Sequence, residues 1–376
     1  MKLLHLADLH LGKRLKDYSL YEDQLYILKQ VLDLIDQEQP QVVLLAGDIY
    51  DKAVPSEEAI NLFEYFLEEL SARNLQVAII SGNHDSGTRL AFGSRFMAGS
   101  GLHFAGTYLG EQQPQLVLED EHGPVNFYLL PFLRPGDVRY LLKPEEKEAI
   151  KTYHDAVAYA VSHYQLQENQ RNVLLSHQFV AGAEASANDV QVGGLENIGK
   201  EVYEPFDYVA LGHIHRSQSL AANLRYAGTM LVFGAHEVGQ AKTVTLVDLG
   251  PKGQVAIKEH ELKPLRPVLK LRGTLAQLKE QAKLLPQEAY VYITLTEPGE
   301  ILEPMAKVRN IFPKVLQLEF DNEHTRALGA TEALEALEQK EPIDLLREFY
   351  EKQTDSQLDS FQLELLESII ERAGEA

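Results

Sequence analysis

Five small clusters of Asp, Asn and His follow apolar runs in this chain: Asp8-Leu9-His10, Gly47-Asp48-Ile49-Tyr50-Asp51, Gly82-Asn83-His84-Asp85, the single His177, and Gly212-His213-Ile214-His215. Together, Asp8, His10, Asp48, Asn83, His177, His213 and His215 form a mixed oxygen and imidazole set suited to Mn, Fe or Zn, with a carboxylate available to bridge. Two cations about 3.5–4 Å apart are the usual clamp for in-line attack on a phosphoester. Taken singly the clusters say less. Asp-x-His is as readily a turn aspartate beside a surface histidine, and a lone histidine after a strand says little. Gly-Asn-His-Asp is more specific. Gly82 permits a sharp turn close to a bound group, Asn83 offers an amide oxygen, and His84 offers a proton or a nitrogen.

Other chemistries are excluded or unsupported. The chain has no cysteine, so disulfides, zinc knuckles and thiol catalysis are ruled out. No Ser/His/Asp order and no Walker A loop is present. The net charge of −21 over 376 residues weighs against a phosphate-backbone binder. Residues 331–376 carry thirteen acidic and four basic side chains, so much of the excess lies at the end of the chain. A pair of divalent cations would also be locally positive whatever the total. No run approaches the length of a membrane span and the N-terminus lacks a signal-peptide pattern, so the expected location is cytoplasmic, with no membrane contact.

The elements that must position these clusters alternate in type. Leu3–Ala7, Val42–Ala46, Val77–Ile80, Asn172–Leu175 and Tyr208–Leu211 read as strands buried on both faces. Ligand sites in open α/β sheets lie at the carboxyl ends of such strands. Ser19 and Glu22 read as a capping box for a helix to about Gln37, its apolar stripe being Leu25, Leu28, Leu32 and Ile35. A second helix from Pro55-Ser56 directs Ile60, Phe63, Leu67 and Leu70 to the core. Short strands at 102–104, 116–118 and 125–130 follow. Pro131, Pro135 and Gly136 read as breaks before a helix over 144–167. Residues 181–199 form a long loop that covers the site. Antiparallel strands are expected at 224–227, 231–233, 243–248 and 255–262. His103, His122, His154 and His163 are read as structural or incidental.

Three units result: residues 1–264 with the chemistry, 265–330 as a small β-α-β-α-β unit, and 331–376 with two short amphipathic helices. Leu346, Phe349 and Tyr350 line one helix and Phe361 and Leu365 the other. Helices this short are expected to dock on something.

The order D-x-H, GD-x-x-D, GNHD, lone His and GHIH resembles the calcineurin-like metallophosphoesterases, most closely their DNA-repair nuclease subunits. Flanking stretches such as ADLHLGKRL, AGDIYDKAVPS, VQVGG and FDYVALGHIHRSQ share in that likeness, as does EPIDLLREFYEKQT near the end. The resemblance implies an α/β fold, a four-layer α-β-β-α sandwich with a small α/β cap and C-terminal helices. It also implies a two-metal DNA endo/exonuclease in double-strand-break and hairpin processing, with Mn²⁺ as the metal and Mg²⁺ or Fe²⁺ as alternatives.

Position by position, the resemblance gives Asp8, His10, Asp48 and His215 to one ion. Asn83, His177 and His213 go to the other, and Asp48 bridges. His84 would act on the scissile phosphate, oriented by Asp51, and water would be the nucleophile. Implied partners are DNA, an SbcC-type ATPase subunit and a second copy of the chain. Lys13, Arg14, Lys16 and Arg89 are candidates for DNA contact, and Leu346, Phe349, Tyr350, Phe361 and Leu365 for contact with the ATPase. Gly228-Thr229-Met230 stands where the family pattern has Gly-Ser-Pro, a departure that bears on loop shape rather than on metal positions. Two other functions fit the same fold: hydrolysis of a small phosphodiester or phosphoprotein, and a non-catalytic scaffold.

Overall fold

The structure, a computed structural model, describes residues 1–184, 197–299 and 301–321, with isolated positions at 347, 362, 363 and 366. The expected loop at 181–199 therefore lies mostly outside the described residues. So do Leu346, Phe349, Tyr350, Phe361 and Leu365 and the helices built on them.

Two six-stranded sheets stack face to face. The first runs Val255–Glu261, Thr243–Leu249, Lys2–Leu6, Val42–Ala46, Gln76–Ile80, Leu102–Ala105. Its last four strands are parallel, and the 243–249 strand is antiparallel to Lys2–Leu6. The second runs Gln218–Ala221, Leu224–Tyr226, Tyr208–Gly212, Arg171–His177, Gly123–Leu130, Gln115–Asp120, with a parallel centre.

The apolar runs have no polar face because the central strands that carry them are covered on both sides. Val43 and Leu45 face the helices Tyr21–Glu38 and Glu57–Ala72, while Val42 and Leu44 face Phe127, Leu129, Val173 and Leu175 of the other sheet. Period-two alternation thus assigns neighbouring residues to different cores. On the far side, Leu174 and Val209 pack with Ala156, Val157 and Ala160 of the helix Tyr153–Ser162. The layers are α-β-β-α, as expected.

Several local expectations are corrected. The first helix begins at Tyr21 with Leu20 as N-cap and no side-chain cap. Ser19 is instead drawn into a two-strand ribbon with Arg14, and Leu20 is buried beside Leu15 and Tyr290. In the helix Glu57–Ala72, Ser56 does cap, accepting from the Ala59 N–H at 3.3 Å. Its buried face runs through Ala59, Leu62, Phe63, Phe66 and Leu70, which leaves Ile60 exposed. Pro135 starts a helix, Pro135–Leu141, instead of ending structure, because proline is preformed for a first helical position. The helix expected over 144–167 is only Tyr153–Ser162, set by a Thr152/Asp155 capping box. Leu224–Tyr226 is parallel to Tyr208–Gly212, and 231–233 is not a strand.

Residues 268–320 form a separate parallel sheet of Val268–Gly273, Tyr290–Leu295 and Lys314–Phe320 with two short helices. It is tied to the first helix through Asp23, which accepts from Arg266 at 2.8 Å and from the Tyr290 hydroxyl at 3.1 Å.

Candidate metal centre

All five clusters meet at one end of the sandwich, because the parallel strands of both sheets end there. Beyond the sheet the first two loops continue to pair: Asp8 N–H donates to Gly47 O (3.0 Å), His10 N–H to Asp48 O (2.9 Å) and Leu11 N–H to Ile49 O (2.9 Å). The crowding shows in the backbone. Asp8, His10, Asp48 and His213 have φ of 52°, 44°, 49° and 99°. Such values are uncommon outside glycine and cost on the order of 1–3 kcal/mol each where the surroundings impose them. Gly82 is required by close approach, since a Cβ there would lie 2.1 Å from Asp48 Oδ1.

Asp8, His10, Asp48 and His177 are at most 2% exposed, and His213 is 9% exposed. Each carboxylate is fixed by the neighbouring cluster: Asp8 accepts from His213 N–H (3.0 and 3.2 Å), and Asp48 Oδ1 accepts from His84 N–H (2.8 Å). Asp48 Oδ2 lies 3.6 Å from His10 Nε2 and 3.4 Å from His177 Nε2, between two groups of donors. On one side Asp8, His10 and His215 converge, with His10 Nε2 and His215 Nε2 3.2 Å apart. On the other side Asn83 Oδ1 lies 3.1 Å from His177 Nε2 and 2.9 Å from His213 Nδ1. The structure therefore brings together all seven positions chosen from the sequence.

Hydrogen bonding behind the rings indicates what they present to the site. His177 Nδ1 lies 2.8 Å from the Ala46 carbonyl, which can only accept, so this nitrogen carries the proton. In the neutral ring its Nε2 then turns a lone pair toward Asp48 and Asn83, which are themselves acceptors. Lone pairs aimed at lone pairs in a buried site are satisfied by cations, and this donor set fits two divalent ions. In the absence of cations, protons take up the same excess of acceptors, and the titrations are displaced accordingly. Burial, reinforced by the Asp48 charge, pushes the Asp8 carboxyl up to about 7. Burial also opposes charge on His177, yet Asp48 raises it to about 9. Burial lowers His10 well below the usual histidine range and His213 to about 3. The rings of His10 and His213 are thus kept available as neutral ligands.

His84 is exposed and lines the open cleft of about 180 Å³ above these groups, together with Lys13, Asn83 and His215. The expected pairing with Asp51 is made differently: His84 Nδ1 donates to the Asp51 main-chain carbonyl at 3.0 Å. The Asp51 carboxylate instead takes Lys13 Nζ at 2.6 Å. Of the basic candidates, only Lys13 lines the cleft. Arg14 donates to the Asp17 carbonyl, Arg89 donates to Ala53 O at 2.9 Å, and Lys16 is exposed in the ribbon turn.

Two carboxylates went unassigned in the sequence reading. Asp85 accepts from Ile49, Tyr50 and Gly82 N–H groups at 2.9–3.0 Å, pinning two of the loops together. Its place in Gly-Asn-His-Asp was the available signal. Glu237 lies behind His215, and no motif pointed to it.

Comparison with known proteins agrees with this geometry. The family model described as calcineurin-like phosphoesterase matches residues 1–217, more than half the chain. The chain belongs to the calcineurin-like phosphoesterases. A second model, described as the type 5 capsule protein repressor C-terminal domain, matches residues 264–354. Among curated relatives, the SbcD component of the nuclease SbcCD from Staphylococcus epidermidis is 31% identical over 388 aligned residues, covering all of both chains. Among solved structures, a dimetal phosphatase from Danio rerio is 16% identical with a TM-score of 0.44, over 70% of this chain and 98% of its own. A protein from Thermus thermophilus, TT1561, is 15% identical with a TM-score of 0.40, over 69% and 98%. No described helix is long and apolar enough to cross a membrane.

Proposed function

We propose that this phosphoesterase is a Mn²⁺-dependent nuclease subunit that hydrolyses DNA phosphodiesters. The observation that carries the reading is the convergence of seven donors, five of them buried, beneath an exposed histidine, in a chain alignable end to end with a nuclease subunit. Asp8, His10 and His215 would hold one cation and Asn83, His177 and His213 the other, with Asp48 between them. Two bound cations supply charge for the phosphate oxygens and lower the pKa of water at the site.

The protein's own groups do the rest. Asp48 and Asp8 fix the spacing of the donors through main-chain N–H groups of the opposite cluster. The Asp51 carbonyl holds His84 Nδ1–H, which leaves Nε2 as the nitrogen able to carry a proton to a leaving oxygen or hydrogen-bond the phosphate. Lys13, neutralised by Asp51, adds little net charge for binding DNA. An ATPase partner of the SbcC type would then supply the main hold on DNA.

A second copy is supported by an apolar face at a groove of about 740 Å³ lined by Ile60, Phe92 and Met97, where Phe92 is 84% exposed and Phe96, next to Met97 in the chain, is 91% exposed. Phe92→Glu with Phe96→Glu should convert a dimer to a monomer in sedimentation; a wild-type monomer would remove this part of the reading.

The main test is cleavage of single-stranded and hairpin DNA with Mn²⁺, run beside EDTA and His84→Ala, with a chromogenic phosphodiester in parallel. Metal-dependent DNA cleavage lost in His84→Ala is expected. Cleavage of the small diester alone, even with the ATPase added, would point to a small-substrate phosphodiesterase. No hydrolysis of either despite bound metal would point to a scaffold.

A further inference from the structure

A buried ion pair, Glu237 with Lys242, lies behind His215. Glu237 ends a short 3₁₀ turn, Ala235–Glu237, and is 1% exposed; Lys242 is 8% exposed and immediately precedes the strand Thr243–Leu249. Glu237 Oε1 lies 2.9 Å from His215 Nδ1. Glu237 Oε2 accepts from Lys242 Nζ at 2.7 Å and from the Phe233 N–H at 3.2 Å, while the Thr229 hydroxyl donates to Leu231 O at 2.9 Å. Lys242 Nζ also donates to Thr229 Oγ1 at 2.7 Å and to His215 O at 3.3 Å. An ammonium with three acceptors at hand keeps its protons, so the carboxylate can only accept, and His215 Nδ1 has to donate. The lone pair of His215 is then on Nε2, the atom that faces His10.

We infer that Glu237 is a positioning residue: it fixes the ring orientation and tautomer of His215, and Lys242 holds the carboxylate in place. The inference rests on the metal-centre reading of the site. Thr229 supports the same ion pair by accepting from Lys242, a hydroxyl that serine at this position would also supply. A purely structural ion pair would contribute to stability without selecting which nitrogen of His215 is bare. A carboxylate behind a metal-binding histidine commonly affects affinity by about 10–100-fold.

The test reads the His215 ring by ¹⁵N NMR in the metal-free full-length protein, with Mn²⁺ affinity by calorimetry as a second readout. Wild type should show His215 protonated at Nδ1. Glu237→Ala should populate the Nε2–H form and bind Mn²⁺ about 10–100-fold more weakly. Glu237→Gln keeps an acceptor oxygen and should retain the tautomer and recover most of the affinity, which also covers the case of an alanine variant that does not fold. A folded Glu237→Ala with unchanged tautomer and affinity would overturn the inference, as would Glu237→Gln carrying the Nε2–H form. If wild type binds Mn²⁺ and passes these tests but cleaves no DNA, the nuclease reading falls and the role of Glu237 stands.

Discussion

His177, the last residue of the central strand of one sheet, donates from Nδ1 to the carbonyl of Ala46, the last residue of the central strand of the other, at 2.8 Å. One hydrogen bond thus staples the two sheets at the rim of the site and also determines which nitrogen His177 turns toward Asp48. Little space remains around it. A Cβ on Gly47, whose φ is +89°, would lie 2.3 Å from His177 Nδ1. Gly47→Ala should therefore destabilise the protein by about 1–3 kcal/mol and weaken divalent-metal binding as well. Urea unfolding and calorimetry check this; an unchanged Mn²⁺ affinity would show that the ring is not held by this contact.

Asp51 and His84 separate a main-chain role from a side-chain role. Because the carbonyl of Asp51, not its carboxylate, meets His84, Asp51→Asn should lower kcat less than tenfold, in contrast with about 10²–10⁴-fold for His84→Ala. His84→Ala should bind Mn²⁺ like the wild type. Steady-state kinetics on a chromogenic diester distinguishes the two variants, and an equal loss in both would return the carboxylate to the mechanism.

Arg171 and Asp120 form a bidentate pair in which both side chains are at most 2% exposed, with Arg171 Nη1 to Asp120 Oδ2 at 2.9 Å. The guanidinium also reaches the carbonyl of Gly123 at 2.5 Å. Asp120→Ala would leave a buried cation without its partner and should cost about 3–5 kcal/mol of folding stability. The pair lies at the strand ends remote from the metal centre, so the refolded variant should keep its Mn²⁺ affinity. A loss below about 1 kcal/mol in equilibrium unfolding would contradict the burial argument.

His5 is fully buried, with Nδ1 2.9 Å from the Tyr208 hydroxyl. Burial, with Arg225 adding to it, lowers its pKa to about 3 from 6.5. Below pH 6.5 the unfolded chain binds a proton that the folded chain refuses, so stability falls as pH drops from about 6.5 towards 3. The slope contributed by this one residue is about 1.4 kcal/mol per pH unit. His5→Phe should flatten that part of the profile, read as urea midpoint against pH. A profile identical to the wild type would show that His5 is protonated in the folded protein.

The strands and their polar ends were legible in the sequence for a local reason. A five-residue run such as Val42–Ala46, buried on both faces, suits a central strand of a covered sheet, and Asp48 then emerges at its carboxyl end. Seven donors could be named because each lies in a cluster that follows such a run. Helix boundaries were less legible, since Leu20 and Pro135 answer to packing and to position rather than to local propensity.

What only the tertiary structure decided are relations between residues far apart in the chain. The Ala46 carbonyl orients the His177 ring across 131 positions, and main-chain N–H groups of Ile49 and Tyr50 reach Asp85 across 36 and 35. Glu237 reaches the back of His215 from a loop that carries no motif. The left-handed φ values at Asp8, His10, Asp48 and His213 belong to the same class. The physical reason is common to all of them. Burial periodicity is written in neighbouring residues, whereas the partner of a buried hydrogen-bonding group is whichever atom the assembled sheets bring within about 3 Å.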